Sequence, residues 1–169
     1  MMTKLPDLTA DCVSCAALCC LALAFDKGND FAIDKPAGLP CPNLDAGLGC
    51  TLYNRLEAEG FRGCAAYECK GAGQRVVQEL FKGRDWLKHP DLAEPMMAAF
   101  AAMRKVHDGI ELLETAGTLD LPGALEAERQ ALLRAYLPAQ WTLEALLAYP
   151  TSGAPVRLKA CLPRLADRV

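Results

Sequence analysis

Eight of the nine cysteines in this chain lie between Cys12 and Cys69, and this cluster limits what the first half of the chain can form. Thiolates two and three residues apart can converge on one soft cation or iron–sulfur cluster, because a tight turn brings both sulfurs to it. The sequence therefore predicts a metal-organised module over residues 1–89. Its expected ligands are Cys12, Cys15, Cys19, Cys20, Cys41, Cys50, Cys64 and Cys69.

A disulfide scaffold is the alternative explanation for so many cysteines, and it requires an oxidising compartment. The N-terminal sequence argues against export, because the apolar run Val13–Phe25 lacks a small-residue cleavage site and is too short to span a bilayer. Nine cysteines cannot all pair, and a disulfide between the adjacent Cys19 and Cys20 would be strained. We therefore expect reduced thiolates in a cytoplasmic protein that does not contact a membrane.

The kind of metal follows from the kind of ligand. Neither His89 nor His107 is near the cluster in sequence, so Zn2+, an Fe–S cluster or Cu+ is favoured over a catalytic site with mixed ligands. Eight thiolates suit two sites of four cysteines each, and such closed sites are structural. Zinc suits a loop-rich module that needs a redox-inert cross-link, whereas an Fe–S cluster tolerates the same spacing, so both remain open. Arg62, Lys70 and Arg75 flank the last cysteines and are candidates to offset the thiolate charge.

The predicted fold is mainly α. Hydrophobic residues make up 52% of the chain but aromatic residues only 7%, a composition that favours helix packing over a sheet sandwich. Residues 26–49 are dense in Gly, Pro, Asn and Asp and predict a loop. Short helices are expected over residues 51–59 and 74–81, and residues 84–90 read as a connector.

The second half of the chain, residues 90–169, predicts a helical hairpin or small bundle with an irregular tail. Leu92, Met96, Phe100, Met103, Ile110 and Leu113 form the apolar stripe of a long helix over residues 93–116, which Gly117 ends. A second helix is expected from about Pro122 to Pro138, and a third around Trp141–Leu147. In the tail, Val156, Leu158 and Ala160 alternate with polar residues and indicate a short strand.

Several other features have a simpler interpretation. Cys161 stands apart from the cluster and is expected to be an ordinary packed cysteine. Gly71-Ala72-Gly73 is expected to be a turn, because a phosphate loop would need a preceding strand and a further glycine. His107 is expected at a helix surface or core edge. The formal net charge of −3 gives no case for nucleic acid, and no Ser–His–Asp set or carboxylate pair indicates catalytic residues.

The cysteine pattern resembles the YkgJ-type cysteine-cluster family, a zinc- or iron-chelating domain. The resemblance rests on the eight cysteines in order, on Cys41-Pro42-x-Leu44, on Cys50-x-Leu52-Tyr53-x-Arg55 and on Cys64-x2-Tyr67-x-Cys69. Three further segments, Phe31–Lys35, Gly60–Cys64 and Gly71–Gln74, look like members in which this module precedes pentapeptide repeats, although no such repeats follow residue 90. The chain departs from many relatives in having Leu56 after Arg55 and Ala65 after Cys64. The resemblance implies metal or Fe–S binding and a cytoplasmic setting.

Two classes of function remain after these observations. In the first, metal fixes the N-terminal fold, and the helical half binds an unknown protein partner or a second copy of the chain. In the second, the cysteines hold an Fe–S cluster that serves redox chemistry or forms part of an enzyme. Storage or delivery of metal is a weaker possibility, because no exposed cysteine-rich tail is present.

Overall fold

The protein is described by a computed structural model that covers residues 4–167. The outermost residues of the two predicted regions, 1–3 and 168–169, lie outside the described part of the chain. The fold is mainly α, as the composition predicts. Seven α-helices occur within residues 4–167: α1 Leu18–Ala22, α2 Arg62–Ala66, α3 Ala72–Arg75, α4 Ala93–Ala116, α5 Gly123–Tyr136, α6 Leu143–Ala148 and α7 Gly153–Ala166.

Helix α4 is the central element of the molecule. It spans Ala93–Ala116 with Gly117 as its C-cap, which confirms the predicted bounds. Met96, Phe100, Met103, Ile110 and Leu113 are all buried, so the apolar stripe faces the core. Because α4 contacts α1, α3, α5, α6 and α7, both halves of the chain pack against it.

The predicted helices after α4 are also present. Helix α5 begins just after Pro122 and buries Leu125, Leu132 and Tyr136. Helix α6 follows Thr142, whose hydroxyl caps it by accepting a hydrogen bond from the backbone N–H of Ala145. Trp141 is buried just before this helix.

The strand predicted in the tail is wrong, because residues 153–166 form α7. Leu158, Cys161 and Leu165 are buried at helical spacing, whereas Val156 is exposed. Pro155 lies in the first turn, where a proline removes no intrahelical hydrogen bond. Pro163 lies inside the helix close to its C-terminal end.

Two predicted helices in the first half are shorter or different in form. Residues 51–59 contain only a 3-10 turn at Tyr53–Arg55. The helix expected over residues 74–81 begins earlier, as α3, and continues through a π-helical turn at Val76–Leu80 that buries Val76 and Val77. The wider turn lets these two adjacent side chains both enter the core.

One hydrophobic core connects the two predicted regions. It contains Leu18 and Leu21 of α1, Val76 and Val77 after α3, and the buried faces of α4 to α7. Residues 22–66 contribute little to it, since only Lys35 and Phe61 are buried there. No helix within residues 4–167 is long and apolar enough to cross a membrane.

Candidate functional site

The eight clustered cysteines lie on short helices, turns and loops of the first half of the chain. Cys12 and Cys15 are in the turns before α1, Cys19 and Cys20 are on α1, Cys41 and Cys50 are in the loop region, Cys64 is on α2 and Cys69 precedes α3. All nine cysteines of the chain are free thiols.

The chain reverses direction sharply between Cys15 and Cys19. Ala16 and Ala17 both have left-handed backbone conformations, with φ of 47° and 51°. This conformation is uncommon for residues other than glycine. The Cys15 thiol donates a hydrogen bond to the carbonyl of Cys12 at 3.3 Å. Two strained alanines therefore hold the turn that joins the first two cysteines to the helix bearing the next two.

Charges on these thiols would act on one another. Burial, together with the neighbouring Cys19 and Cys12, raises the pKa of the Cys15 thiol to about 12. Burial likewise raises the pKa of Cys12, with added effects from Cys19 and Cys69. The pKa of Cys64 is raised to about 11 by burial and by Cys41, Cys19 and Cys50. These thiols are therefore neutral at neutral pH unless a cation stabilises their thiolates.

The cysteines that affect one another's pKa form two groups, and Cys19 of α1 belongs to both. Cys12, Cys15 and Cys69 interact with one another or with Cys19. On the other side, Cys64 interacts with Cys41, Cys50 and also Cys19. The backbone N–H of Cys41 donates to the carbonyl of Cys20 at 3.0 Å, which holds the second group against α1.

The adjacent cysteines of α1 have a separation suited to one metal. Their sulfur atoms are 3.9 Å apart. Two sulfurs bound at about 2.3 Å to one tetrahedral ion would lie about 3.8 Å apart. The same distance is far too long for a disulfide bond. The donor set thus fits a thiolate-bound centre, although no three His, Cys, Asp or Glu side chains of residues 4–167 already form a complete ligand group.

Lys35 is a buried lysine of this region that the sequence pattern does not indicate as part of the candidate site. Only 3% of its surface is exposed. Its ammonium group donates to the carbonyls of Leu21, Leu23 and Pro36, at 3.3, 2.5 and 3.1 Å. Burial lowers its pKa, and the thiolate charges of Cys41, Cys20, Cys19 and Cys64 oppose that shift. The sequence offered only the position of Lys35 within the Phe31–Lys35 segment, which does not distinguish a buried lysine from a solvated one.

The three cations that flank the last cysteines have other partners. Arg62 is exposed and lies 3.9 Å from the Asp30 carboxylate. Lys70 pairs with Asp108 and Glu111 of α4, and Arg75 pairs with Glu79. Carboxylates therefore already offset the charges of these side chains.

The segment that carries Cys69 is fixed to α4 by polar contacts. Arg104 donates to the carbonyl of Glu68 and lies over the ring of Tyr67, 5.1 Å from its centroid. The Lys70 ammonium group is 3.0 Å from the Asp108 carboxylate. Gly71 has a left-handed φ of 73°, and an added Cβ would collide with the carbonyl of Asp7, so this position requires glycine. The turn predicted over Gly71–Gly73 is present only at Gly71, because Ala72 and Gly73 already belong to α3.

His107 lies deeper than the sequence predicts. It is fully buried on α4, not at a helix surface or core edge. Its Nδ1 hydrogen bonds the carbonyl of Lys70, and its Nε2 is 3.2 Å from the Arg75 guanidinium. Since arginine can only donate, Nε2 must accept and the imidazole is neutral with its proton on Nδ1. His89, by contrast, is exposed in the connector.

Cys161 is fully buried on α7, as expected for a packed cysteine. Burial raises the pKa of its thiol, and the charges that affect it are those of Glu128 and Arg164 and not those of the clustered cysteines. This thiol is therefore a useful internal comparison for the eight others.

The sequence of this chain is similar to that of an uncharacterized bacterial protein. The chain is 43% identical over 122 residues to the uncharacterized protein YybG of Bacillus subtilis (strain 168). The match includes 72% of this chain but only 44% of YybG, so the chain spans less than half of that relative's length. No protein-family model matches the chain, and no solved structure matches it.

Proposed function

We propose that this protein binds Zn2+ or an Fe–S cluster through the clustered thiolates of Cys12, Cys15, Cys19, Cys20, Cys41, Cys50, Cys64 and Cys69. The observation that carries the proposal is the 3.9 Å separation of the Cys19 and Cys20 sulfurs, in a segment whose eight cysteines are all free thiols. The resemblance to the YkgJ-type family points to the same chemistry and to a cytoplasmic setting.

The residues of the chain would act by binding and by releasing protons. Because burial raises the pKa of Cys15 and Cys64 and keeps these thiols protonated, both would lose a proton as the metal binds. A bound centre would supply a cross-link between loop segments that bury few apolar side chains.

The primary role of such a centre is structural. Eight thiolates with no histidine ligand suit closed sites, and the helical half would present its surface to a protein partner or a second copy of the chain. The alternative is an Fe–S cluster used for redox chemistry or as part of an enzyme, which the same all-thiolate donor set favours.

Metal content tests the proposal directly. Protein purified without oxygen should contain zinc and be colourless, or contain iron and sulfide and be brown. Elemental analysis together with the visible absorption spectrum decides between the two. Protein that is folded as purified, contains no metal and has thiols open to modification would contradict both forms of the proposal.

Replacement of one ligand gives a second test. Cys50→Ala should lower the metal content and unfold the loop region, because metal-binding free energy on the order of 10 kcal/mol is coupled to folding in such sites. Cys161→Ala is the matched control and should retain the metal, since this thiol lies outside the cluster. A folded Cys50→Ala protein with wild-type metal content would remove Cys50 from the ligands.

A further inference from the structure

A buried lysine without a carboxylate partner lies beside the cysteine cluster. The Lys35 ammonium group forms hydrogen bonds with three backbone carbonyls, and no ion pair joins it to a carboxylate within residues 4–167. The ring of Phe25 is 5.7 Å from the nitrogen. Backbone hydrogen bonds of 2.8 and 3.0 Å between Lys35 and Phe25 fix the position of the side chain.

Three carbonyls satisfy the hydrogen-bond donors of this group, but they do not neutralise its charge. A buried ammonium group without an opposite charge is costly, because burial removes its hydration. The Leu21 carbonyl that accepts from the ammonium group follows Cys20 in the chain, and the Cys20 carbonyl accepts from the Cys41 N–H. When ionised, the thiolates of Cys41, Cys20, Cys19 and Cys64 would stabilise the charge of Lys35. A centre of four thiolates with Zn2+, or with an Fe–S cluster of charge +2, carries a net charge of about −2.

We propose that Lys35 is a positioning residue that supplies a fixed positive charge to the centre formed on the Cys20, Cys41 and Cys64 side of α1. This inference rests on the proposed metal binding. The ammonium group neutralises part of the net thiolate charge and so raises the affinity of that side of the cluster. Arg62, which lies two residues from Cys64, does not share this role because it is exposed beside Asp30.

Three replacements of Lys35 separate its charge from its hydrogen bonds. Arg retains the positive charge, Gln retains donors without charge, and Met retains only the apolar stem. Affinity is measured at neutral pH with whichever centre the purified wild type contains. Competition with a chelator serves for Zn2+, and the rate of chelator-driven iron loss serves for an Fe–S cluster. Helical circular dichroism is recorded in parallel.

We expect Lys35→Gln and Lys35→Met to weaken metal binding by about 10- to 100-fold, the range found for outer partners of metal ligands. Lys35→Arg should remain much closer to the wild type. Arg62→Met is the control and should leave the affinity unchanged.

Two results would overturn the role of Lys35. Wild-type affinity in Lys35→Gln would show that hydrogen bonding suffices, and equal losses in all three variants, including failure to fold, would show a purely structural role. Failure of the proposed function is distinguishable, because the wild type itself would then bind neither zinc nor an Fe–S cluster.

Discussion

At the scale of single residues, the buried His107 imidazole makes stability depend on pH. Burial lowers its pKa from 6.5 to about 4, partly offset by the hydrogen bond to the Lys70 carbonyl. Between these values the unfolded chain binds a proton that the folded chain does not. The stability due to neutral His107 is therefore complete above pH 6.5 and is lost as the pH falls towards 4.

We predict that protonation of His107 alone lowers the free energy of unfolding by about 3 kcal/mol as the pH falls from 6.5 to 4. Urea unfolding of His107→Gln at several pH values should show a shallower acid dependence than the wild type. Glutamine can accept from Arg75 and donate to the Lys70 carbonyl without titrating. His89→Gln is the matched control, because His89 is exposed and should leave the acid dependence unchanged. Identical acid profiles for the two variants would disprove the assignment.

The residue scale also shows where sequence reasoning ends. The spacing of the cysteines predicts which of them share a centre, because a tight turn can bring thiols two or three positions apart to one metal. Lys35 and His107 gave no such indication. Their roles depend on contacts across 14 residues to Leu21 and across 37 residues to Lys70, which no local pattern encodes.

At the scale of elements, Arg129 joins α5 to the end of α4. The residue is 5% exposed, and its guanidinium donates to the Leu113 carbonyl at 2.8 Å and to both Glu126 oxygens at 2.7 Å. Leu113 belongs to the last turn of α4, and its carbonyl also accepts a hydrogen bond from the Gly117 N–H at 3.2 Å. The Arg129 side chain, which Glu126 of α5 holds in place, therefore binds the last turn of α4.

Arg129→Met should reduce the free energy of unfolding by about 1–3 kcal/mol, because it removes the charge-assisted hydrogen bonds to the Leu113 carbonyl and to the Glu126 carboxylate. Arg134→Met on the same helix is the control and should change it by less than about 0.5 kcal/mol, since Arg134 is exposed. Denaturant unfolding measures both values. Equal effects of the two substitutions would show that α5 does not depend on this contact.

The helices were predictable to different degrees. The bounds of α4 follow from an apolar stripe of period 3.6 and from Gly117, which coincide with the structure. Helix α7 was missed because Pro155 and Pro163 obscured it and because Val156, Leu158 and Ala160 imitate a strand. Packing against the rest of the molecule favours a helix here, since it buries Leu158, Cys161 and Leu165 at helical spacing. The π-helical turn after α3 depends on packing against α4 and has no local signal.

At the scale of the whole molecule, the boundary that the sequence placed near residue 89 is crossed by the hydrophobic core. Val76, Val77 and Phe81 pack with α4, whereas residues 22–66 bury only Lys35 and Phe61. Phe25 stacks on Phe31 and meets the ring of Phe61 edge to face. Two isolated bridges, Phe25–Lys35 and Leu44–Cys50, are the β pairings found within this segment. Because residues 22–66 bury so few side chains, the stability of this segment depends on a cross-link more than that of the helices does.

We predict that a chelator added to reduced, metal-loaded protein will unfold residues 22–66 while α4 and α5 remain folded. Burial supplies little stability to that segment, but the helical core retains its apolar contacts without any metal. Hydrogen exchange followed by mass spectrometry should show fast exchange across residues 22–66 and unchanged protection in α4 and α5. Cys161→Ala should give the same pattern, because its thiol is outside the cluster. A single simultaneous loss of protection throughout the chain would show instead that the centre and the helices form one cooperative unit.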